Sequence, residues 1–352
     1  MKSIYIHIPF CKNKCWYCDF NSFSGKENLI NDYMIALKKE IQSYSFDELQ
    51  TVYFGGGTPS YVDAKYIEEI LTMLKCKNAE ITLEVNPGTV TEEKLRRYIA
   101  SGVNRLSIGL QATQNDILKD IGRIHTLEEF DKTYKLARNV GFTNISVDLM
   151  FGLPNQTLKD VKESLDYILK IGPEHISCYS LILHKDTKKH LPSDEEERKM
   201  YHYIVATLKN AGYVHYEISN FAKKGFESKH NLVYWNQEEY VGVGAGASSY
   251  VNNIRYTNER NIEKYILENK REIEEEQDLE SKLREYVILK LRLVKGLNLE
   301  EASKRFNVNI AEKFANEIQK MCKYGLLKVD DGNMSLTDRG LDLANIVWEE
   351  FI

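Results

Sequence analysis

What most restricts the fold of this chain is a rhythm. An apolar, β-branched run followed by an amphipathic helical stretch recurs six times, at a spacing of roughly 30 residues. The runs are SIYIHI (3–8), TVYF (51–54), AEITLEV (79–85), RLSIGL (105–110), NISVDLMF (144–151) and HISCYSL (175–181). Between them lie stretches such as NDYMIALKKEIQSY, DAKYIEEILTMLK and TLKDVKESLDYILKIG. Parallel strands need a crossover and each helical stretch supplies one, so a parallel sheet covered by helices is expected.

Periodicity alone leaves a doubly wound sheet and an incomplete barrel open. Motif placement discriminates between them. Cysteines follow the first run, GGGTP the second and GLQ the fourth, EVNP lies at the end of the third, and Asp148 lies within the fifth. Five strands converging on one edge favour an α/β fold of the incomplete (β/α)6 TIM-like barrel type, with a smaller, mainly helical C-terminal module.

The rhythm stops near residue 225. The expected division is a barrel over 1–225, a segment with a connecting helix over 226–285, and a winged-helix-like module over 286–352. The charged run NERNIEKYILENKREIEEEQDLESKLREYVILKLRLV reads as a helix with a solvated face, and the last portion as short helices followed by a hairpin.

Charge and hydropathy narrow the function classes. With 47 basic against 52 acidic residues, net -5, the chain is not built mainly to grip nucleic acid. Peripheral association with a membrane stays open. No apolar run approaches the length of about 18 residues that a membrane span needs, and the N-terminus lacks the sections of a secretory signal, so a cytoplasmic protein is expected. In a reducing compartment, clustered cysteines are metal ligands or redox groups rather than a disulfide framework. The isolated Cys76, Cys178 and Cys322 read as small buried hydrophobes.

Cys11, Cys15 and Cys18 form CxxxCxxC in the loop leaving the first strand. A structural zinc site closes with four ligands, so zinc here requires a distant fourth residue such as a histidine. Three thiolates can instead hold three irons of a [4Fe–4S] cluster and leave the fourth open.

With Tyr17 one residue before its last cysteine, this motif resembles the radical S-adenosylmethionine (SAM) superfamily. The resemblance implies that the open iron chelates the amino and carboxylate groups of SAM, and that an electron from the cluster cleaves the sulfonium to a 5′-deoxyadenosyl radical. It also implies roles for named residues. Gly56, Gly57 and Thr58, in the run from Gly55 to Pro59, face the methionyl amino group. Glu84, Gln111, Arg123 and Asp148 supply groups suited to a carboxylate and ribose hydroxyls, and Tyr5 stands near the cluster and SAM.

The runs YIHIPFC, GGGTPS, LEVNP, GLQ, GRIHT and DLMFGLP resemble the coproporphyrinogen-oxidase-like branch of that superfamily, over nearly the whole chain. Within the branch, the oxygen-independent coproporphyrinogen III dehydrogenase pattern has a further cysteine two positions past the third, and an N-terminal extension. Here Asp19 and Phe20 follow Cys18, and the first strand begins almost at Met1, which favours the HemW-type heme chaperones over the decarboxylating enzyme. His230, Asn231, Tyr234 and Trp235 form HNxxYW, a signature of the chaperone group, in which the histidine is proposed to bind heme. A neutral imidazole can ligate heme iron, and the two aromatics offer flat faces to a porphyrin.

The implied cofactors are the cluster, SAM and heme. The implied partners are heme, unidentified heme-acceptor proteins and a reductant donor. No catalytic residue is assigned. Three details qualify the match: Ser248 stands where many relatives place a histidine, Asn155 where glycine is common, and His7 reads as a satisfied strand histidine. GVGAG imitates a dinucleotide fingerprint without the βαβ unit that would support one.

Overall fold

The computed structural model describes residues 1–182 and 190–352. All six expected runs are strands: β1 (Ser3–Ile8), β2 (Thr51–Gly56), β3 (Glu80–Val85), β4 (Arg105–Gln111), β5 (Ile145–Phe151) and β6 (His175–Ser180). The crossovers carry α1 (Ile30–Gln42), α2 (Ala64–Thr72), α3 (Glu92–Ala100), α4 (Asn115–Asp120), α5 (Leu127–Val140) and α6 (Leu158–Ile171). Local signals set the helix ends. Thr126 with Glu129 and Thr157 with Asp160 close capping boxes on α5 and α6, and Gly141 and Gly172 take left-handed C-terminal positions.

The six strands are parallel and lie side by side in chain order. A doubly wound sheet grows outward both ways from its first strand and reverses order; this sheet does not, so it is the incomplete barrel. Alternation sorts the side chains. Ile4, Ile6 and Ile8 pack outward into the helix-covered core, while Tyr5 and His7 face the lumen with Tyr53, Glu84 and Asp148.

The sheet continues beyond the sixth strand. After α7 (Asp194–Asn210), the hairpin β7 (Val214–Glu217) and β8 (Asn220–Ala222) pairs antiparallel with β6, and past α8 (Lys229–Trp235), β9 (Val241–Val243) lies parallel to β1. The GVGAG run is therefore an edge strand and its turn, too short to show a period in sequence. Buried Glu40 on α1 holds it, accepting hydrogen bonds from Gly244 N–H (2.9 Å), Asn258 (2.8 Å) and Tyr265 (2.6 Å).

The charged run departs from the expected continuous helix. It contains α9 (Ile262–Leu267), the exposed strand β12 (Glu272–Glu276) and α10 (Leu279–Leu291); β12 completes an antiparallel sheet with β10 (Ser248–Val251) and β11 (Ile254–Thr257). Pairing with β11 outweighs the helical preference of glutamate there, and Arg271 anchors the strand's start by stacking on Tyr44 and Tyr256 at 4.9 and 5.3 Å.

The C-terminal portion has its own core, including Val287, Leu291, Phe314, Met321 and Phe351. Around it lie β13 (Leu297–Asn298), α11 (Leu299–Phe306), α12 (Ile310–Lys313), α13 (Ala315–Lys323), the hairpin β14 (Leu327–Asp330) and β15 (Asn333–Leu336), then α14 (Asp338–Asp342) and α15 (Ala344–Glu349). Helices followed by a hairpin is the expected order. Among the described residues, no helix is long and apolar enough to cross a membrane.

Candidate functional site

The cysteine loop leaves β1 at the C-terminal mouth of the barrel and is tied down by its own backbone and by distant groups. Cys11 N–H donates to Phe23 O (2.9 Å), Lys14 Nζ to Phe20 O and Ser22 O, and the Trp16 indole to Asp120 O (2.7 Å). From below, His7 Nε2 lies 2.8 Å from Asn21 O. A carbonyl only accepts, so Nε2 carries the hydrogen and Nδ1 accepts from Tyr5 OH (3.1 Å). Burial pushes the His7 imidazole down to about 4, which keeps it neutral in this role.

A hydrogen-bond circuit joins the loop to the barrel rim. Thr58 donates to Cys11 Sγ at 3.5 Å, the Asn86 amide donates to Thr58 Oγ1 (2.7 Å), and Arg123 donates to Asn86 Oδ1 (2.8 Å). Arg123 Nη1 reaches toward Cys15 Sγ at 4.0 Å, and its Nε lies 3.2 Å from His125 Nδ1. Asn86 and His125 were not singled out in the sequence. The signal for Asn86 was its position two residues after Glu84, on the same face of the strand.

Glycines make this edge close-fitting. A Cβ on Gly57 would lie 3.0 Å from Cys11 Sγ and 2.8 Å from the Pro9 carbonyl carbon, while Gly56, at φ +113°, passes over the His7 ring. Glu84 accepts from Tyr53 OH (3.0 Å) and Gly56 N–H (3.2 Å), and burial, with the Asp148 charge second, raises its carboxyl to about 7. Asp148 accepts from Ser107 (3.1 Å), and burial raises it too. Gln111, at φ 71°, accepts from Tyr179 OH (3.0 Å). The structure thus gathers Gly56, Gly57, Thr58, Glu84, Gln111, Arg123 and the cysteines at one mouth, with Asp148 and Tyr5 in electrostatic reach of Glu84.

These residues fit the implied cluster and SAM. Cys15 and Cys18 are half-buried, Cys11 is buried, and the charges of Cys15 and Cys18 act on Cys11, so the thiols are neighbours. Burial pushes the Cys11 and Cys18 thiols up, and iron supplies the positive charge that such thiolates need. Among the described residues, no trio of His, Cys, Asp or Glu is spaced for a single metal ion.

The HNxxYW helix lies elsewhere. His230 on α8 is 1% exposed, with Nδ1 2.8 Å from Thr51 Oγ1 and Nε2 2.8 Å from Tyr234 OH. Thr51 opens β2 and Gly56 closes it, so the two ends are about 17 Å apart along the strand. The His230 ring stacks on Tyr53 at 5.1 Å, and burial, then the charge of Arg105, pushes it down to about 3. Trp235 is covered by the Arg292 guanidinium at 4.2 Å, and Arg305 donates to Asn236 O and Gln237 O, both at 3.1 Å. As arranged, His230 presents no open nitrogen to heme iron and Trp235 has a face occupied. The motif plugs the N-terminal end of the barrel and ties it to the C-terminal module.

Likenesses of three kinds, to family profiles, to individual proteins and to a solved structure, bear on the chain. The sequence profile of the radical SAM superfamily matches residues 5–168, and that of the HemN C-terminal domain matches 277–343. The chain is 38% identical to the heme chaperone HemW of Lactococcus lactis subsp. lactis, over 99% of this chain and 97% of that protein. It is 35% identical to the heme chaperone HemW of Bacillus subtilis, over 100% and 99%. In structure it is similar to coproporphyrinogen III oxidase (HemN) from Escherichia coli, a radical SAM enzyme, with a TM-score of 0.87 and 23% identity over 99% of this chain and 89% of that one. At that identity the structural likeness speaks to the fold.

Proposed function

We propose, on the premise that the chain belongs to the HemW family of the radical SAM superfamily, that it is a heme-binding chaperone that passes heme to acceptor proteins and retains a SAM-binding [4Fe–4S] site. The observation that carries this reading is the end-to-end 38% identity with a heme chaperone. The geometry supports the SAM half of it, since the residues expected to hold the cluster or SAM lie at the C-terminal mouth or in electrostatic reach of Glu84 there.

In this reading Cys11, Cys15 and Cys18 hold three irons. When bound, the cluster and SAM together supply one-electron cleavage of the sulfonium. The chain's residues bind and orient. Gly56 and Gly57 would let the backbone approach the methionyl amino group, Arg123 would pair with the carboxylate, and Gln111 and Asp148 would bind ribose hydroxyls. Glu84, with its carboxyl near 7, gives up its proton when a cation arrives beside it. Thr58, Asn86 and His125 hold Cys11 and Arg123 in place. Heme, its acceptors and a reductant donor are the partners, and the cytoplasm is the place of work. The barrel at 1–225, the HNxxYW segment at 226–285 and the module at 286–352 are the working divisions.

The rival function is the radical decarboxylation of coproporphyrinogen III propionates. Heme titration of the purified protein, paired with an anaerobic decarboxylation assay containing SAM and reductant, separates the two. Heme binding without carbon dioxide release is expected. Robust decarboxylation by a protein with no measurable heme affinity would overturn the chaperone reading.

A further inference from the structure

The floor of the lumen holds a guanidinium whose Nε has no hydrogen-bond partner among the described residues. It belongs to Arg105, which opens β4 and is 2% exposed. The hydroxyl of Thr82, its partner in register on β3, has none either. The two carboxylates that feel the Arg105 charge are engaged elsewhere: Glu84 with Tyr53 and Gly56, Asp148 with Ser107. The nearby imidazoles offer no compensation, since His230 and His175 are buried with both ring nitrogens in hydrogen bonds, to Thr51 and Tyr234 and to Ser146 and Tyr216. An unpaired buried charge is strongly unfavourable, and buried polar groups in native folds have partners. Two adjacent side chains without them, one a cation, mark a place that something else completes.

We propose that Arg105 and Thr82 form a seat for one carboxylate group at the lumen floor, the group that heme presents as its propionates; the assignment rests on the heme-carrier reading above. A guanidinium fork matches a carboxylate, and the Thr82 hydroxyl supplies a further hydrogen bond. Tyr53, the neighbour of Thr82 in register, stacks on His230, so the seat lies beside the HNxxYW helix rather than beside the cluster.

The test uses the full chain and Arg105→Met, which removes the charge and keeps much of the bulk. Sodium propionate should raise the melting temperature of wild type and leave the variant unchanged. Heme should bind the variant at least about tenfold more weakly, the loss expected for one charge-assisted hydrogen bond, whereas heme dimethyl ester should bind both proteins alike. Stabilisation of wild type and variant alike by propionate, or equal weakening of heme and its diester, overturns the seat. Equal heme binding by wild type and variant overturns the seat and keeps the heme reading. Arg105-dependent stabilisation by propionate, in a protein without heme affinity, keeps the seat and overturns the heme reading.

Discussion

The two ends of the barrel use the same residue types to opposite effect. At the C-terminal mouth, tyrosine, histidine and carboxylate side chains are arranged around three thiols with few protein partners of their own, and glycines leave room at the backbone. At the N-terminal end, His230 and Tyr234 satisfy each other, Thr51 takes the second ring nitrogen, and Arg292 covers the tryptophan. The mouth keeps room beside its thiols, whereas both ring nitrogens of His230 are taken and the HNxxYW helix is a plug.

The sharpest way to break this contrast is at the thiols. Replacing Cys11, Cys15 or Cys18 with alanine should abolish the cluster in anaerobically reconstituted protein, measured as bound iron and sulfide. Cys76, Cys178 and Cys322, changed to serine singly, should leave iron content intact. Cluster loss in any of the latter three would dissolve the assignment.

Next in size come the polar groups of the mouth. Glu84→Ala, Arg123→Ala and Asp148→Ala should each weaken SAM binding by roughly 10- to 150-fold, the range of a lost charge-assisted hydrogen bond of about 1.5–3 kcal/mol. Calorimetric titration checks this. No change in all three variants would remove the cradle.

A smaller effect separates the ends by the sign of a pH dependence. The Glu84 carboxyl is raised to about 7 in the fold, so wild type loses stability as pH rises from the unfolded value near 4.3 toward 7. The His230 imidazole is lowered to about 3, so wild type loses stability as pH falls below about 6.5. Relative to wild type, Glu84→Gln should gain stability with rising pH and His230→Gln with falling pH, each by at most about 1.4 kcal/mol per pH unit. Parallel slopes in denaturant titrations across pH 4.5–7 would contradict the burial argument at one end.

The barrel and its site were legible because each rests on a local signal: a strand followed by a helix, and polar groups stacked where strands end. The cysteine loop, GGGTP and Glu84 needed only their place after a strand. What escaped reading depends on contacts across the chain. β9 is three residues long and exists because β1 offers an edge and Glu40 a carboxylate. REIEEE has helical composition, and only its pairing with β11 makes it a strand. His230 could not be distinguished from an open ligand in sequence, since its two partners lie one turn away and 179 residues away. Asn86 and Arg105 acquire their meaning from neighbouring strands in register.

The central claim is that the mouth is a SAM site that works apart from the plugged end. It is tested most directly by electron paramagnetic resonance of the reduced, reconstituted cluster with and without SAM, in wild type and in Tyr234→Phe, which removes the hydrogen bond to His230 Nε2 and no hydrogen bond of the mouth residues. SAM should shift the cluster signal by the same amount in both proteins. A signal that ignores SAM in wild type, or a SAM response lost in Tyr234→Phe, would contradict the account.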